Sequence, residues 1–179
     1  MNFKDVAENY PDDKVEKEVR DYEIPTHKNP SNKSLGILHD ALGEGKSILE
    51  RMERIYSDAI KHVGYHEIEL EKAQHEYDSF LEEKLFSDEE CKSQKSEALR
   101  VAVAVNKYPD LKARKDDLFK KELGSKNAEI WMKIVRSKFE QLSKSHETNS
   151  RQATLIEDMI QLGEIRGSGF GPRLVENQK

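Results

Sequence analysis

Residues 46–85 read KSILERMERIYSDAIKHVGYHEIELEKAQHEYDSFLEEKL, and this stretch decides the fold class. Mostly apolar side chains recur in it at alternating spacings of three and four residues, without a proline. This spacing puts a narrow stripe on one face of an α-helix and is typical of helices that pack against other helices. The stripe begins earlier, and its members are Leu35, Leu38, Leu42, Gly45, Leu49, Met52, Tyr56, Ala59, Val63, His66, Leu70, Ala73, Tyr77 and Phe80. The sequence therefore predicts an all-α protein, an elongated helical hairpin or coiled-coil bundle.

A second, looser stripe predicts another long helix from about residue 110 to residue 162. Its members are Leu111, Leu118, Ser125, Ala128, Met132, Val135, Phe139, Leu142, His146, Asn149, Ala153, Ile156 and Ile160. The polar members His146 and Asn149 predict a buried polar layer that fixes register and oligomeric state. Gly124, beside Ser125, could interrupt this helix, because glycine is a poor helix former.

The segment between the two long helices contains several predicted boundaries. Ser87 and Glu90 are three residues apart, as in a capping box, and predict a new helix start near residues 86–88. Residues 98–105 read ALRVAVAV, in which every second residue from position 101 is a valine, a pattern that also suits a strand. The flanking residues favour a helix, which is the structure we expect here. Because the residue before a proline is disfavoured in the helical conformation, Pro109 predicts a break at residues 106–110.

Three domains follow from these patterns. Residues 1–33 contain three of the five prolines in a polar setting, and we expect a flexible, extended arm with a short helix around residues 13–22. Residues 34–162 form the helical domain, in which the dependable part of the first helix runs from about residue 46 to residue 85. Residues 163–179 are rich in glycine, and we expect a flexible tail.

Composition favours an assembling protein. Charged residues make up 36% of the chain and hydrophobic residues 35%, and the mean hydropathy is -0.88. These values leave too little apolar side chain for a thick core, so we expect self-association into a homo-oligomer. The chain has a single cysteine, Cys91, and no signal-peptide or membrane-span pattern, so we expect a protein of the cytoplasm, with no membrane partner.

No motif indicates catalysis. The sequence lacks a P-loop, a GxGxxG motif and paired cysteines. His62 and His66 are four residues apart, but His66 belongs to the stripe and His62 lies beside it, so we interpret them as seam residues and not as metal ligands. Cys91 has no adjacent histidine to activate it. We expect no enzymatic activity, no metal and no cofactor.

The charge distribution carries more information than the net charge of -5. Residues 66–90 contain ten acidic and two basic residues, a net charge of -8, and residues 92–144 contain fourteen basic and seven acidic residues, a net charge of +7. One interpretation is that the two stretches pair, within the hairpin or between subunits. The other is that the basic stretch is partly free to hold phosphates.

Cations in the basic stretch surround the predicted bend, where Tyr108 adds an aromatic ring. Proteins that bind single-stranded nucleic acid combine these two elements, because cations follow the phosphates and aromatic faces stack on the bases. The candidate contact residues are Lys92, Lys95, Arg100, Lys107, Tyr108, Lys112, Arg114 and Lys115.

Three features occur in order along the chain: the sequence KSEALRV at residues 95–101, then Leu111 and Lys112, and then a long amphipathic helix that ends with IEDM at residues 156–159. In these features the chain resembles the UvsY-type phage recombination mediators. The resemblance covers about residues 69–160. It implies a small helical protein that forms a ring-like homo-oligomer in the host cytoplasm and binds single-stranded DNA. It also implies partners, because such mediators help to load a RecA-like recombinase onto strands covered by single-strand-binding protein.

A structural or adaptor coiled coil, such as a virion or scaffold component, is the alternative hypothesis. In that case the charged stretches pair with each other, and the arm and the tail bind protein partners. Deleting residues 163–179 would then abolish partner capture, whereas replacing the eight candidate residues would have little effect.

Overall fold

The computed structural model describes residues 10–26 and 35–161. Within these residues the helices are α1 (Asp13–Asp21), α2 (Leu35–Ser87), α3 (Glu89–Lys92), α4 (Glu97–Lys107) and α5 (Pro109–Gln161). The described part of the chain has no strand, so the predicted all-α class is confirmed. None of the described helices has the length and apolar character of a membrane span. Residues 1–9 and 27–34 of the predicted arm, and the predicted tail at residues 163–179, lie outside the described residues.

Both predicted stripes are the packed faces of the two long helices. No member of the stripe on α2 and no member of the stripe on α5 is exposed. The glycines at positions 43, 45, 64 and 124 do not interrupt either helix. The heptad interpretation of the sequence is therefore confirmed over the full length of α2 and α5, because packing of an amphipathic face outweighs the low helix propensity of single glycines.

The chain divides into two compact units, each containing half of both long helices. Unit 1 comprises residues 58–133 with Tyr10. Within it α2 and α5 run antiparallel, since Glu76 pairs with Arg114 at 3.1 Å and Glu69 pairs with Lys121 at 3.3 Å. Its apolar core joins α2, α3, α4 and α5, and consists of Ala73, Tyr77, Cys91, Ala104, Leu111 and Leu118.

Unit 2 comprises the described residues of 11–57 and 134–161. The helices are antiparallel here too, because the Tyr56 and Phe139 rings stack with centroids 6.3 Å apart, and His39 lies 3.2 Å from Glu157. Within unit 2, α2 and α5 share a small apolar cluster of Leu38, Ala153 and Ile156.

The segment before α2 packs on unit 2, which differs from the extended arm expected there. The predicted short helix is confirmed as α1, whose first turn is capped by the Asp12 carboxylate accepting a bond from the Val15 N–H at 2.8 Å. Val19 and Ile24 are only 3% and 6% exposed. Two apolar side chains are therefore enough to anchor a segment whose average composition is polar, and the Glu18 carboxylate accepts two bonds from the Arg51 guanidinium.

Asn149 explains the polar layer that the second stripe predicted. Its side chain is fully buried, and its Nδ2 donates to the carbonyl oxygen of Pro25 at 2.9 Å. The inward position is confirmed. The amide is used within the chain, where it holds the segment before α2, because a buried amide without a partner is costly.

The boundaries between α2 and α5 follow from local capping. The predicted capping box at Ser87 is wrong, because Ser87 is the last residue of α2 and Asp88 caps α3, accepting from the Glu90 N–H at 2.8 Å. Ser96 caps α4 in the same way. Tyr108 alone separates α4 from α5, with φ -109° and ψ 103°, the extended conformation that a residue before proline prefers.

Candidate nucleic-acid interface

The eight predicted contact residues all belong to unit 1 but lie on different elements. Lys92 ends α3, Lys95 lies in the connection that follows, Arg100 and Lys107 lie on α4, and Tyr108 precedes α5. The remaining three, Lys112, Arg114 and Lys115, occupy the first two turns of α5. Sequence proximity therefore does not translate into one surface, and the contacts of each side chain decide what it has to offer a ligand.

Asp88 binds the two candidates at the end of α4. Its carboxylate accepts from the Lys107 ammonium at 2.8 Å and from the Tyr108 hydroxyl, while it also caps α3. Lys107 additionally contacts Glu90 at 2.8 Å. The hydrogen bonds from Lys107 and Tyr108 hold the pKa of Asp88 well below its usual range, and bonds to Asp88 and Glu90 raise the pKa of Lys107. Lys107 and Tyr108 thus fasten α4 to the start of α3.

Arg114 is also held within the unit. Its guanidinium contacts the Glu76 carboxylate at 3.1 Å and lies 5.0 Å from the centroid of the Phe80 ring. Lys121, one of the other cations of the basic stretch, pairs with Glu69 in the same way. These are the contacts expected if the acidic and basic stretches pair within the hairpin, and they use part of the positive charge of α5.

Other candidates are closer to solvent. Arg100 donates through Nε to the Gln94 carbonyl at 3.1 Å, and Lys92 lies 3.5 Å from Glu89, one helical turn away. Lys95, Lys112 and Lys115 are exposed. None of the three makes an ion pair or a side-chain hydrogen bond with the described residues. These lysines are the members of the predicted set with charge available to an anionic ligand.

Phe119 is a candidate that the sequence argument missed. It is 66% exposed on α5, seven residues after Lys112 and four residues after Lys115. Residues at these spacings lie on one face of a helix, and Lys126 follows after another seven. The exposed residues Lys112, Lys115 and Phe119 define what we call the outward α5 face, which is followed along the helix by the exposed residues Leu123, Lys126 and Ile130. It combines cations with an aromatic ring free to stack, whereas the Tyr108 hydroxyl is engaged by Asp88.

A signal for Phe119 exists in the sequence. Positions 112, 119 and 126 form a second seven-residue series on α5, offset from the buried series that contains Leu111, Leu118 and Ser125 by one residue. This series places the Phe119 ring between two lysines, each seven residues away, along one face of the helix. The buried stripe does not mark this face of the helix.

His62 and His66 pack as aromatic rings. Their centroids are 4.5 Å apart and nearly perpendicular, and Tyr10 contacts His62 edge to face at 5.5 Å. Burial, together with the nearby Lys121 charge, lowers the pKa of His66. Among the described residues, no group of three or more histidine, cysteine or acidic side chains is placed to hold a metal ion.

The thiol of Cys91 lies inside the core of unit 1. The residue is fully buried, and burial raises the pKa of the thiol above its ordinary value. A buried thiol with a raised pKa has little thiolate at neutral pH and is a poor nucleophile.

Comparisons with known proteins give no relative. No protein-family model, no curated protein and no solved structure matches the chain.

Proposed function

We propose that the chain is a non-catalytic, self-associating protein that binds single-stranded DNA through the outward α5 face. The observation that carries the proposal is the exposed Phe119 ring on the same helical face as Lys112 and Lys115. The two cations supply phosphate contacts, and the ring supplies a stacking surface for a base. Lys95, in the connection before α4, adds a further exposed cation.

Self-association answers the objection raised by the acidic net charge of -5. One copy offers only a few uncommitted lysines. Several copies that present the same face place these lysines close together, and a clustered positive surface attracts a polyanion even when the whole protein is acidic. This is why the proposal joins oligomerisation to nucleic-acid binding.

The biological role we propose is that of a recombination accessory protein in the cytoplasm of a phage host. The partners would be a RecA-like recombinase and single-strand-binding protein, as in the UvsY-type mediators that the sequence resembles. The role requires no catalytic group, and we assign no catalytic role to the side chains of unit 1 described above.

Fluorescence anisotropy of a labelled oligothymidylate tests the binding step. We expect micromolar protein to bind at low salt, and Phe119→Leu to weaken binding roughly 5- to 160-fold, the loss of one stacked base at about 1–3 kcal/mol. Lys112→Gln/Lys115→Gln should weaken it further. Lys61→Gln/Lys72→Gln is the matched control, because it removes the same charge from exposed α2 lysines that already pair with Asp58 and Glu69. Absence of binding at low salt would refute the proposal.

A structural or adaptor coiled coil is the second candidate, favoured by the ion pairs that Arg114 and Lys121 make with acidic residues of α2. In that function the paired charges set the register of the hairpin, and residues 1–33 and 163–179 bind protein partners. This hypothesis predicts a flat anisotropy titration for the parent chain and for all variants. It also predicts that deleting residues 163–179 removes partner binding while leaving the helical signal in circular dichroism intact.

A further inference from the structure

Unit 1 carries two exposed apolar ridges on different helices. The α2 ridge consists of Ile60, Gly64 and Ile68, spaced four residues apart, and its isoleucines are 48% and 50% exposed. The α5 ridge consists of Leu123, Lys126 and Ile130, and its apolar members are 52% and 55% exposed. Exposed aliphatic side chains that recur along one helical face are typical of surfaces that contact another protein.

Gly64 leaves a gap in the middle of the α2 ridge. An added Cβ at this position meets no atom within 4 Å, so the packing of the described residues does not require glycine here. A glycine in a helix interior costs about 1 kcal/mol relative to alanine. A gap flanked by two exposed isoleucines suits a side chain that enters from outside the unit.

The unpaired charges around the two ridges are opposite, because Lys61 and Lys72 beside the α2 ridge already pair with acidic residues of their own helix. Glu67 and Glu71 are exposed beside the α2 ridge, and neither makes an ion pair with the described residues. Lys126, at the centre of the α5 ridge, is likewise exposed. Two α2 ridges placed together would bring acids against acids, and two α5 ridges would bring Lys126 against its own copy. Pairing of an α2 ridge with an α5 ridge avoids both repulsions and gives attraction.

The two ridges also match in register. Inside unit 1 the antiparallel helices place Glu69 opposite Lys121 and His66 against Gly124. Each residue further along α2 therefore faces a position one residue earlier on α5. The same register applied between two copies places Ile60 level with Ile130 and Ile68 one residue from Leu123. Lys126 then lies level with Gly64. Each isoleucine meets an aliphatic partner, and the lysine stem faces the gap.

We infer that the α2 ridge of one copy docks on the α5 ridge of a second copy, in the antiparallel register used within the chain. The lysine stem fills the gap at Gly64, and its ammonium lies near Glu67 and Glu71 of the other copy. Because the two ridges differ, the contact is heterologous, and each copy can bind one neighbour on each side. The inference rests on the self-association included in the proposed function, and the two ridges do not include the proposed DNA contacts Lys112, Lys115 and Phe119.

Paired face variants of the full chain test this interface. Ile60→Glu/Ile68→Glu disables the α2 ridge, and Leu123→Glu/Ile130→Glu disables the α5 ridge. All four positions are exposed, and glutamate is a good helix former, so circular dichroism should be unchanged. Leu155→Glu on α5, at a position 49% exposed in unit 2, is the control and should associate like the parent.

Light scattering coupled to gel filtration reads the result. We expect each variant alone to be monomeric where the parent associates, and an equal mixture to stop at a dimer of twice the chain mass of 20.7 kDa, because one intact junction remains. The interface is refuted if either variant associates like the parent, or if the mixture stays monomeric. A parent that is monomeric at every concentration refutes the interface together with the self-association in the proposed function, and the anisotropy titration then judges DNA binding separately.

Discussion

Two glycines near the start of α2 make a matched pair for testing how unit 2 packs. Gly43 is exposed, and a Cβ added there meets nothing within 4 Å. Gly45 is buried, and a Cβ added there would lie 2.8 Å from Nδ1 of His146 and 3.5 Å from Cδ1 of Ile24. The same substitution, glycine to alanine, should therefore have opposite effects at two positions in one helix.

The magnitudes follow from two opposing effects. Alanine in place of glycine in a helix interior stabilises the folded state by about 1 kcal/mol. At position 43 nothing opposes this gain. At position 45 the imidazole of His146 must move, and overpacking of this kind costs about 1–3 kcal/mol. We expect Gly43→Ala to raise the free energy of unfolding by about 1 kcal/mol, and Gly45→Ala to lie about 1–3 kcal/mol below it.

Urea denaturation followed by far-UV circular dichroism measures the difference, with all variants at one protein concentration because association also changes apparent stability. A double-mutant cycle identifies the cause. In a His146→Ala background the obstacle is gone, and Gly45→Ala should approach the gain seen at position 43. Equal stabilisation by Gly43→Ala and Gly45→Ala in the parent chain would refute the close approach of α2 and α5 at this point.

Three further predictions concern single contacts. Asn149→Ala should cost about 0.5–1.5 kcal/mol by removing the donor to the Pro25 carbonyl, and should speed proteolysis within residues 11–26, whereas unchanged proteolysis would contradict the anchor. Because the pKa of Asp88 is lower in the folded state, its charge stabilises the fold at pH values above the ordinary pKa of aspartate. This stabilisation is lost as the pH falls towards the pKa of the folded state. The difference in Tm between the parent and Asp88→Asn should therefore shrink below about pH 4 and not grow. Cys91 should react with a thiol reagent only after unfolding, and fast labelling of the native chain would contradict its burial.

The two stripes could be predicted because burial on a helix repeats with a period that the sequence displays directly. Leu38, Ala59 and Ile156 needed no knowledge of what they face. What each position meets across the hairpin could not be predicted, since register depends on all contacts together. The close approach of Gly45 to His146 is such a case, because each residue was assigned to its stripe but not to the other. The segment before α2 was misjudged for a related reason, since average polarity conceals two anchors, Val19 and Ile24.

The candidate site was harder to predict, because a positive residue has the same appearance in sequence whether it is paired or free. Arg114 and Lys115 are neighbours on α5, yet Arg114 turns towards Glu76 and Lys115 remains exposed. Tyr108 was chosen for its ring near cations, although its hydroxyl binds Asp88. Phe119 has the better exposure and lies on the lysine face, but the exposed side of a helix is not marked by the pattern of its buried side.

The central claim is that lysines of the outward α5 face contact the phosphates of single-stranded DNA. The dependence of affinity on salt tests it most directly, because each phosphate contact on a single strand contributes about 0.7 to the slope of log affinity against log salt. Loss of two contacts in Lys112→Gln/Lys115→Gln should therefore reduce the magnitude of the slope by about 1.4 relative to the parent. Lys61→Gln/Lys72→Gln should leave the slope unchanged. A slope that is the same for the α5 variant and the parent would contradict the claim.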